Sequence, residues 1–300
     1  MSTKDIFNII ANPNAGRRGK IERVIAKVVE TFQARNIPYT LQYANTPELA
    51  REIAGGLESA GEKFIIVIGG DGTLSEVVNG LAEPRNVNLG LIPAGTGNDF
   101  AKTLKITKDL KRNLEHIFSG VIKQFDYIQG ATRRAVNTAS TGIDIEIMQR
   151  YNASKRRNKL NYYRALFTTI FRYKAPSHKI KTDVAELDER KHFVIAACNG
   201  QYFGGGMRVS PNSCPHDGRL NMVAIHDMSR SKILFRLLKF LSGKHINKPY
   251  TIEHLTKAVQ LNDSAPTTVD YDGELVYNEP FDLQIVVGGL NILHDEALIK

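Results

Sequence analysis

The chain has little that would mark it as secreted, membrane-spanning or disulfide-bonded. It holds two cysteines in 300 residues, Cys198 and Cys214. Without paired spacing they exclude a disulfide scaffold and suit a reducing compartment. No apolar run approaches the roughly 20 residues needed to cross a bilayer. Met1-Ser2-Thr3-Lys4-Asp5 leads directly into a strand-like run, with no signal-peptide core. Serine at position 2 excludes N-myristoylation. These absences predict a cytoplasmic protein. Internal repeats and low-complexity segments are missing too. So is the phosphate loop G-x-x-x-x-G-K-[ST], whose spacing Gly16 to Lys20 does not meet, and so is any H-R-D loop.

The composition is that of a globular protein, with 42% hydrophobic and 24% charged residues. Three hundred residues allow one large or two ordinary domains. Forty Lys and Arg against 31 Asp and Glu give a net charge of +9. That favours an anionic partner: a nucleotide, a nucleic acid or an acidic lipid surface.

The first 128 residues alternate strand and helix signals. Ile6 to Ala11 and Phe64 to Ile68 are apolar runs of strand length, and Leu89 to Ile92 is a shorter one. Ile21, Val24, Ile25, Val28, Val29 and Phe32 recur at helical spacing. Thr46-Pro47-Glu48 reads as an N-cap, a first-turn proline and an acidic first turn. Such alternation predicts βαβ units and a parallel sheet with helices on both faces. From about Ile128, strand-like runs dominate and predict an antiparallel β-rich domain. Two helical insertions, near 143–173 and 230–242, interrupt it. The expected organisation is an α/β domain over 1–128 with a C-terminal return at about 289–300, and a β-rich domain over 129–288.

Three loops follow strands of the first domain. Gly69-Gly70-Asp71-Gly72-Thr73 joins the Phe64 strand to a helix-patterned segment beginning Leu74-Ser75-Glu76. Its glycines let backbone N–H groups approach an anion at the positive end of a helix dipole. Asp71 has two readings: a partner for a metal or sugar hydroxyl beside a phosphate, or a cap in an ordinary strand-to-helix turn. Pro93-Ala94-Gly95-Thr96-Gly97-Asn98-Asp99 follows the Leu89 strand, and Asn12-Pro13-Asn14-Ala15-Gly16 follows the first. In open α/β sheets, ligands bind beyond the carboxyl ends of the strands, where all three would sit.

N-P-x-x-G, G-G-D-G-T-x-x-E-V-x-N-G and P-x-G-T-x-N-D-F-A, in this order and spacing, resemble the diacylglycerol kinase catalytic family of lipid kinases. The likeness continues through Asn199-Gly200-Gln201-Tyr202-Phe203-Gly204-Gly205-Gly206-Met207, Ser210-Pro211, Asp217-Gly218-Arg219-Leu220 and Asp272-Gly273-Glu274. It spans nearly the whole chain and is strongest to soluble bacterial-type enzymes of this length. It implies a three-layer α/β domain, like that of NAD kinases and phosphofructokinases, followed by an antiparallel β-sandwich.

The resemblance also implies site residues. Asn12, Pro13, Asn14, Ala15, Gly16, Thr46, Gly69, Gly70, Asp71, Gly72, Thr73, Leu74, Ser75, Glu76, Gly95 and Thr96 would line an ATP site. Asp272 or Glu274, the latter favoured, would take the proton from a lipid hydroxyl, with Asp71 grouped beside them as a catalytic candidate. Two carboxylates two positions apart in an extended chain face one side; a hairpin turn with solvated acids is the plainer reading. Asp217, with carbonyls of Cys214 and Arg219, would hold a structural Mg²⁺, and Asp99 and Asp126 would link it toward the active site. An Asp-Gly turn explains Asp217 equally well. A second Mg²⁺ would arrive with ATP. Cys214-Pro215-His216 has no second Cys/His pair to complete a metal site.

Residues 150–174 carry Arg150, Lys155, Arg156, Arg157, Lys159, Arg164, Arg172 and Lys174 among six aromatics, with no acid. Lipid surface and RNA both suit that pattern; a solvated helix over an aromatic core stripe also does. With the family resemblance, the expected partners are a lipid substrate at a membrane surface and peripheral contact with that membrane. No nucleic acid is expected, and a homodimer is allowed. The apolar stripe Ile233, Leu234, Leu237, Leu238, Leu241 is expected to pack on the β-domain. Alternatives to a diacylglycerol kinase are another small-molecule kinase of the same superfold, such as an NAD kinase, or a nucleotide- or lipid-binding regulator without turnover.

Overall fold

The computed structural model describes residues 6–16, 19–154, 159–262 and 265–294. Expectations for Lys155, Arg156, Arg157 and the Lys159 side chain, and for 295–300 of the C-terminal return, lie outside them. The chain divides into two compact units, 1–126 with 287–300, and 127–286.

The first unit runs β1 (Phe7–Ala11), α1 (Lys20–Ala34), β2 (Tyr39–Tyr43), α2 (Pro47–Ser59), β3 (Phe64–Gly69), α3 (Asp71–Gly80), β4 (Asn88–Pro93), α4 (Asp99–Thr103), α5 (Leu110–Ser119) and the start of β5 (Ile122–Gln129). The strands are parallel in the order β2-β1-β3-β4. Near the end of the chain, Asn291 and Ile292 add alongside β4, also in parallel. β1 and β3 are buried at every position, as their apolar sequences require of strands covered on both faces. One side packs Phe7, Phe32 and Phe64 with Ile21, Ile25 and Val28 of α1. The Thr46 hydroxyl caps α2 by accepting the Leu49 N–H at 3.3 Å, with Pro47 at the first helical position.

The second unit contains β6 (Arg134–Ala135), β7 (Thr138–Gly142), α6 (Ile143–Asn152), α7 (Lys159–Ile170), β8 (Ser177–Thr182), β9 (Glu186–Cys198), β10 (Leu220–His226), α8 (Arg230–Ser242), β11 (Thr251–Thr256), β12 (Ala258–Leu261), β13 (Pro266–Tyr271), β14 (Glu274–Pro280) and the first residues of β15 (Asp282–Leu293). One antiparallel sheet runs β14-β13-β7-β9-β10-β11. A second runs β9-β8-β12-β15. β9 serves both: Glu186 to Lys191 pairs with β8, and His192 to Cys198 with β7 and β10. Ile180, Ile195, Met222, Val259, Val269, Tyr271 and Leu283 fill a core drawn from strands of both sheets, so this unit is a β-sandwich. A separate cluster lies under α6, α7 and α8, where Ile147, Leu166, Ile170, Ile233 and Phe240 pack with Phe193, Val223 and Ile225.

Candidate functional site

In the first unit the strand order reverses between β1 and β3, because β2 lies to one side of β1 and β3 and β4 to the other. Crevices at such reversals, beyond the carboxyl ends of strands, are where open α/β sheets take ligands. The loops after β1, β3 and β4 meet there and are locked together. Asn12 Nδ2 donates to Thr73 Oγ1 at 3.0 Å, while Asn12 Oδ1 accepts the Asn14 N–H at 2.9 Å. The N–H groups of Ala94 and Gly95 both donate to Gly69 O, at 2.8 and 3.2 Å. Asn98 closes a ring with Gly95, accepting its N–H and donating to its carbonyl, each at 2.9 Å.

Two glycines are required by this proximity. A Cβ on Gly95 would lie 2.4 Å from Gly70 Cα, and one on Gly16 would lie 2.2 Å from Ala94 O. No backbone can yield that much, so the loops touch as they do only because these positions lack side chains. Gly72 differs: a Cβ there meets nothing within 4 Å. It sits exposed in the first turn of α3, ahead of the first N–H that bonds back, that of Leu74 to Gly70 O. The N–H groups and dipole of a helix's first turn suit an anion. Thr96 is exposed in its loop, as is Thr46 at the cap of α2.

Asp71 takes the capping role, on a neighbouring helix. Its Oδ1 accepts the Phe100 N–H at 3.1 Å, at the start of α4. Burial and the charge of Asp99 push its carboxyl above the ordinary value, against the backbone N–H groups of Asp99 and Phe100. Leu74, Ser75 and Glu76, expected to line the nucleotide site, turn into the protein and are buried. Glu76 pairs with Arg51 Nε at 2.5 Å and ties α3 to α2. Leu74 nonetheless lines a crevice with Gly69, Gly70, Asp71 and Asn98. Asp99 is buried and pairs with Lys102 at 2.7 Å, and Asp126 accepts the Gly288 N–H at 2.8 Å.

In the second unit Asp272-Gly273 forms a two-residue hairpin between β13 and β14, both at positive φ (55° and 99°), with Tyr271 opposite Glu274. The expectation of an extended chain with both carboxylates on one side is therefore wrong. The hairpin of the plainer reading is present, but Asp272 is held by the protein rather than solvated. Asp272 Oδ1 accepts the N–H groups of Asn137 and Thr138 at 3.0 and 2.9 Å, and Oδ2 accepts that of Val136 at 2.7 Å. Through these three bonds Asp272 fixes the bend between β6 and β7. That bend holds the glycine-rich segment in turn. Asn137 Nδ2 donates to Tyr202 O at 2.6 Å, and Asn199 Nδ2 donates to Val136 O at 2.8 Å. Glu274 is half-buried at the first position of β14.

Two further acids in this unit escaped the sequence reading. Asp270 and Asp144 are buried, the first on β13 opposite Ser140 and the second in α6, accepting from Ser140 Oγ at 2.7 Å. Asp270 Oδ1 accepts the Gly273 N–H at 2.6 Å, while Asp270 Oδ2 and Asp144 Oδ1 have no partner among the described residues. Burial pushes the Asp144 carboxyl up to about 6. Burial, with the charge of Asp144 next, raises that of Asp270 well above the ordinary value. Nothing in Thr141-Gly142-Ile143-Asp144 or Val269-Asp270 marks these residues in sequence, because strand and helix interiors carry no turn signal.

The folded state thus holds protons that the unfolded chain releases near pH 3.8. Stability from this pair is greatest below that value and declines as pH rises through the folded values. Asp270→Asn keeps the acceptor for Gly273 and cannot ionise. It is expected to flatten that decline. Thermal melts of both proteins across pH 4 to 8 check this, and a variant whose melting temperature falls with pH as steeply as that of wild type refutes it.

At the expected structural metal site, Asp217 is exposed and its Oδ1 accepts the Arg219 N–H at 2.9 Å. The Cys214 carbonyl accepts the Asp217 N–H at 3.4 Å. These bonds complete an Asp-Gly turn. Among the described residues no group of three or more His, Cys, Asp or Glu could hold a metal. One carboxylate and two carbonyls would leave the rest of a Mg²⁺ shell to water.

Known proteins show where this architecture belongs. Residues 7–129 match the profile of the diacylglycerol kinase catalytic domain, and residues 137–294 that of the YegS C-terminal NAD kinase beta sandwich-like domain. The chain belongs to the diacylglycerol kinase-like family of lipid kinases built from these two domains. Over 289 residues it is 29% identical to a Staphylococcus carnosus protein named "Putative lipid kinase", covering 93% of this chain and 94% of the relative. It shares 26% identity over 235 residues with a Staphylococcus aureus (strain Mu3) protein of the same name, 77% and 76% of the two chains. The fold is that of two crystal structures of Bacillus anthracis proteins, one described as a diacylglycerol kinase (24% identity, TM-score 0.76) and one as a putative diacylglycerol kinase (21%, TM-score 0.79). Each match covers 99% of both chains. No helix among the described residues is long and apolar enough to cross a membrane.

Proposed function

We propose that this protein is an ATP-dependent lipid kinase that transfers the γ-phosphoryl group to a lipid hydroxyl, with diacylglycerol as acceptor and phosphatidic acid as product. The observation that carries this reading is the set of three loops locked around Gly16, Gly70 and Gly95 at the strand-order reversal, in a chain of the diacylglycerol kinase-like family. In the first unit, the N–H groups around Gly72 take phosphate oxygens, and the hydroxyls of Thr46 and Thr96 and the Asn12 loop border the nucleotide. In the second, the Glu274 carboxylate accepts the proton of the lipid hydroxyl. The lipid oxygen then bonds to the γ-phosphorus as the bond to the β,γ-bridging oxygen breaks, and ADP leaves with that electron pair. Mg²⁺ carried in with ATP would neutralise the β- and γ-phosphate oxygens. The substrate brings the enzyme to a membrane surface as a peripheral protein.

The test is transfer of labelled γ-phosphate into mixed micelles of diacylglycerol, sphingosine or phosphatidylglycerol, with NAD alongside. Label in diacylglycerol is the expected result. Label in NAD alone, or in no acceptor by protein that binds ATP, contradicts the proposal.

A further inference from the structure

The helices of the second unit cover an apolar cluster with one face and leave a second apolar face to solvent. On α8, Ile233 and Phe240 are buried against that cluster and Leu237 packs partly on it. The expectation that the whole stripe packs on the β-domain is therefore only partly right. Leu234, Phe235 and Leu238 point outward, Phe235 at 82% and Leu238 at 75% of full exposure. At 100° per residue these three fall within one arc, and Lys232, Arg236 and Lys239 fall in the adjoining arc.

α7 repeats the arrangement. Leu166 and Ile170 face the cluster, while Leu160 (77% exposed), Phe167 and, just past the helix end, Phe171 (61%) form a stripe at i, i+7, i+11. Beside it a cavity of about 610 Å³ runs along α6 and α7, lined by Arg150, Arg164, Arg172, Phe171 and small polar residues, with no acid. Soluble surfaces seldom gather large apolar side chains this way without an occupant.

Charge decides which occupant. Residues 159–174 and 230–250 contain no Asp or Glu, while they carry Arg164, Arg172, Lys232, Arg236 and Lys239 among their cations. A second copy docking by symmetry would set these cations against their own counterparts. An anionic bilayer offers the opposite: phosphates for the arginines and an acyl boundary for the leucines and phenylalanines.

From this we infer that α7 and α8 form an interfacial docking surface for an anionic lipid bilayer. Leu234, Phe235 and Leu238 enter the acyl boundary with the Leu160–Phe167–Phe171 stripe, while Arg150, Arg164 and Arg172 hold lipid phosphates. The inference rests on the lipid-kinase reading for its choice of occupant, but it is tested without turnover.

The full chain is sedimented with vesicles of phosphatidylcholine alone and of phosphatidylcholine with phosphatidylglycerol, with ATP and diacylglycerol left out. Wild type is expected to bind the anionic vesicles and to bind the neutral ones weakly. Each serine replacement in Leu234→Ser, Phe235→Ser and Leu238→Ser should weaken binding about tenfold. Arg164→Gln and Arg172→Gln should each cost about fivefold, on anionic vesicles only. All five positions are solvent-exposed, and thermal melts confirm folding. Variants that bind as wild type does overturn the inference. So does a wild type that ignores both vesicle types, including one whose light scattering shows a dimer that these variants dissociate. Failure of phosphate transfer with vesicle binding intact would instead count against the lipid-kinase reading.

Discussion

Glu274→Gln is expected to slow phosphoryl transfer to diacylglycerol about a thousandfold, in the middle of the range for loss of a general base. Nucleotide affinity should be unchanged and the melting temperature nearly so. The substitution keeps shape and removes only the ability to take a proton. The neighbouring acid supplies the contrast. Asp272 accepts three backbone N–H groups at 2.7 to 3.0 Å. Asp272→Ala leaves those donors unsatisfied and frees the 136–138 segment, so the cost should appear in stability, at about 3 kcal/mol or more. Residual transfer by correctly folded protein should then exceed that of the Glu274 variant. A Glu274 variant with wild-type kcat, or the reverse ranking, would remove Glu274 from the role.

Gly95→Ala is expected to cost about 2 kcal/mol of stability and at least tenfold in nucleotide affinity. The added methyl would sit 2.4 Å from Gly70 Cα and 2.8 Å from Asn98 Oδ1, so it must part the loops or break the Asn98 ring. Gly72→Ala separates the ligand from the scaffold. Its methyl meets no protein atom within 4 Å, so the melting temperature should hold while ATP affinity falls, the methyl standing where phosphate approaches. Calorimetric titration with ATP, paired with thermal melts, reads both variants. A Gly72 variant that binds ATP as wild type does would move the nucleotide away from this turn.

What the sequence revealed depended on how local each signal is. The βα loops were legible because glycine, asparagine and proline at a strand end announce a turn, and the Thr46-Pro47-Glu48 cap was legible for the same reason. The partners those loops choose were not. Asp71 caps α4, a helix that begins 28 residues later, and Glu76 pairs with Arg51 on α2. Side-chain direction was misjudged wherever the backbone changed class: Asp272-Gly273 turns at positive φ where extended geometry was assumed. No turn signal marks the break between β11 and β12, which only Lys257 separates and which belong to different sheets. Periodicity found α8 but could not say how much of its apolar arc is covered. That depends on the cluster beneath, which accommodates Ile233 and Phe240 and leaves Phe235 in water.

The most direct test of the account follows phosphorus itself. ³¹P NMR of wild-type protein with Mg²⁺, ATP and dioctanoylglycerol should show a phosphomonoester resonance growing at the rate the γ-phosphate is lost, one for each ADP formed. ADP appearing with inorganic phosphate alone, or ATP persisting beside protein shown to bind it, would contradict transfer to a lipid hydroxyl.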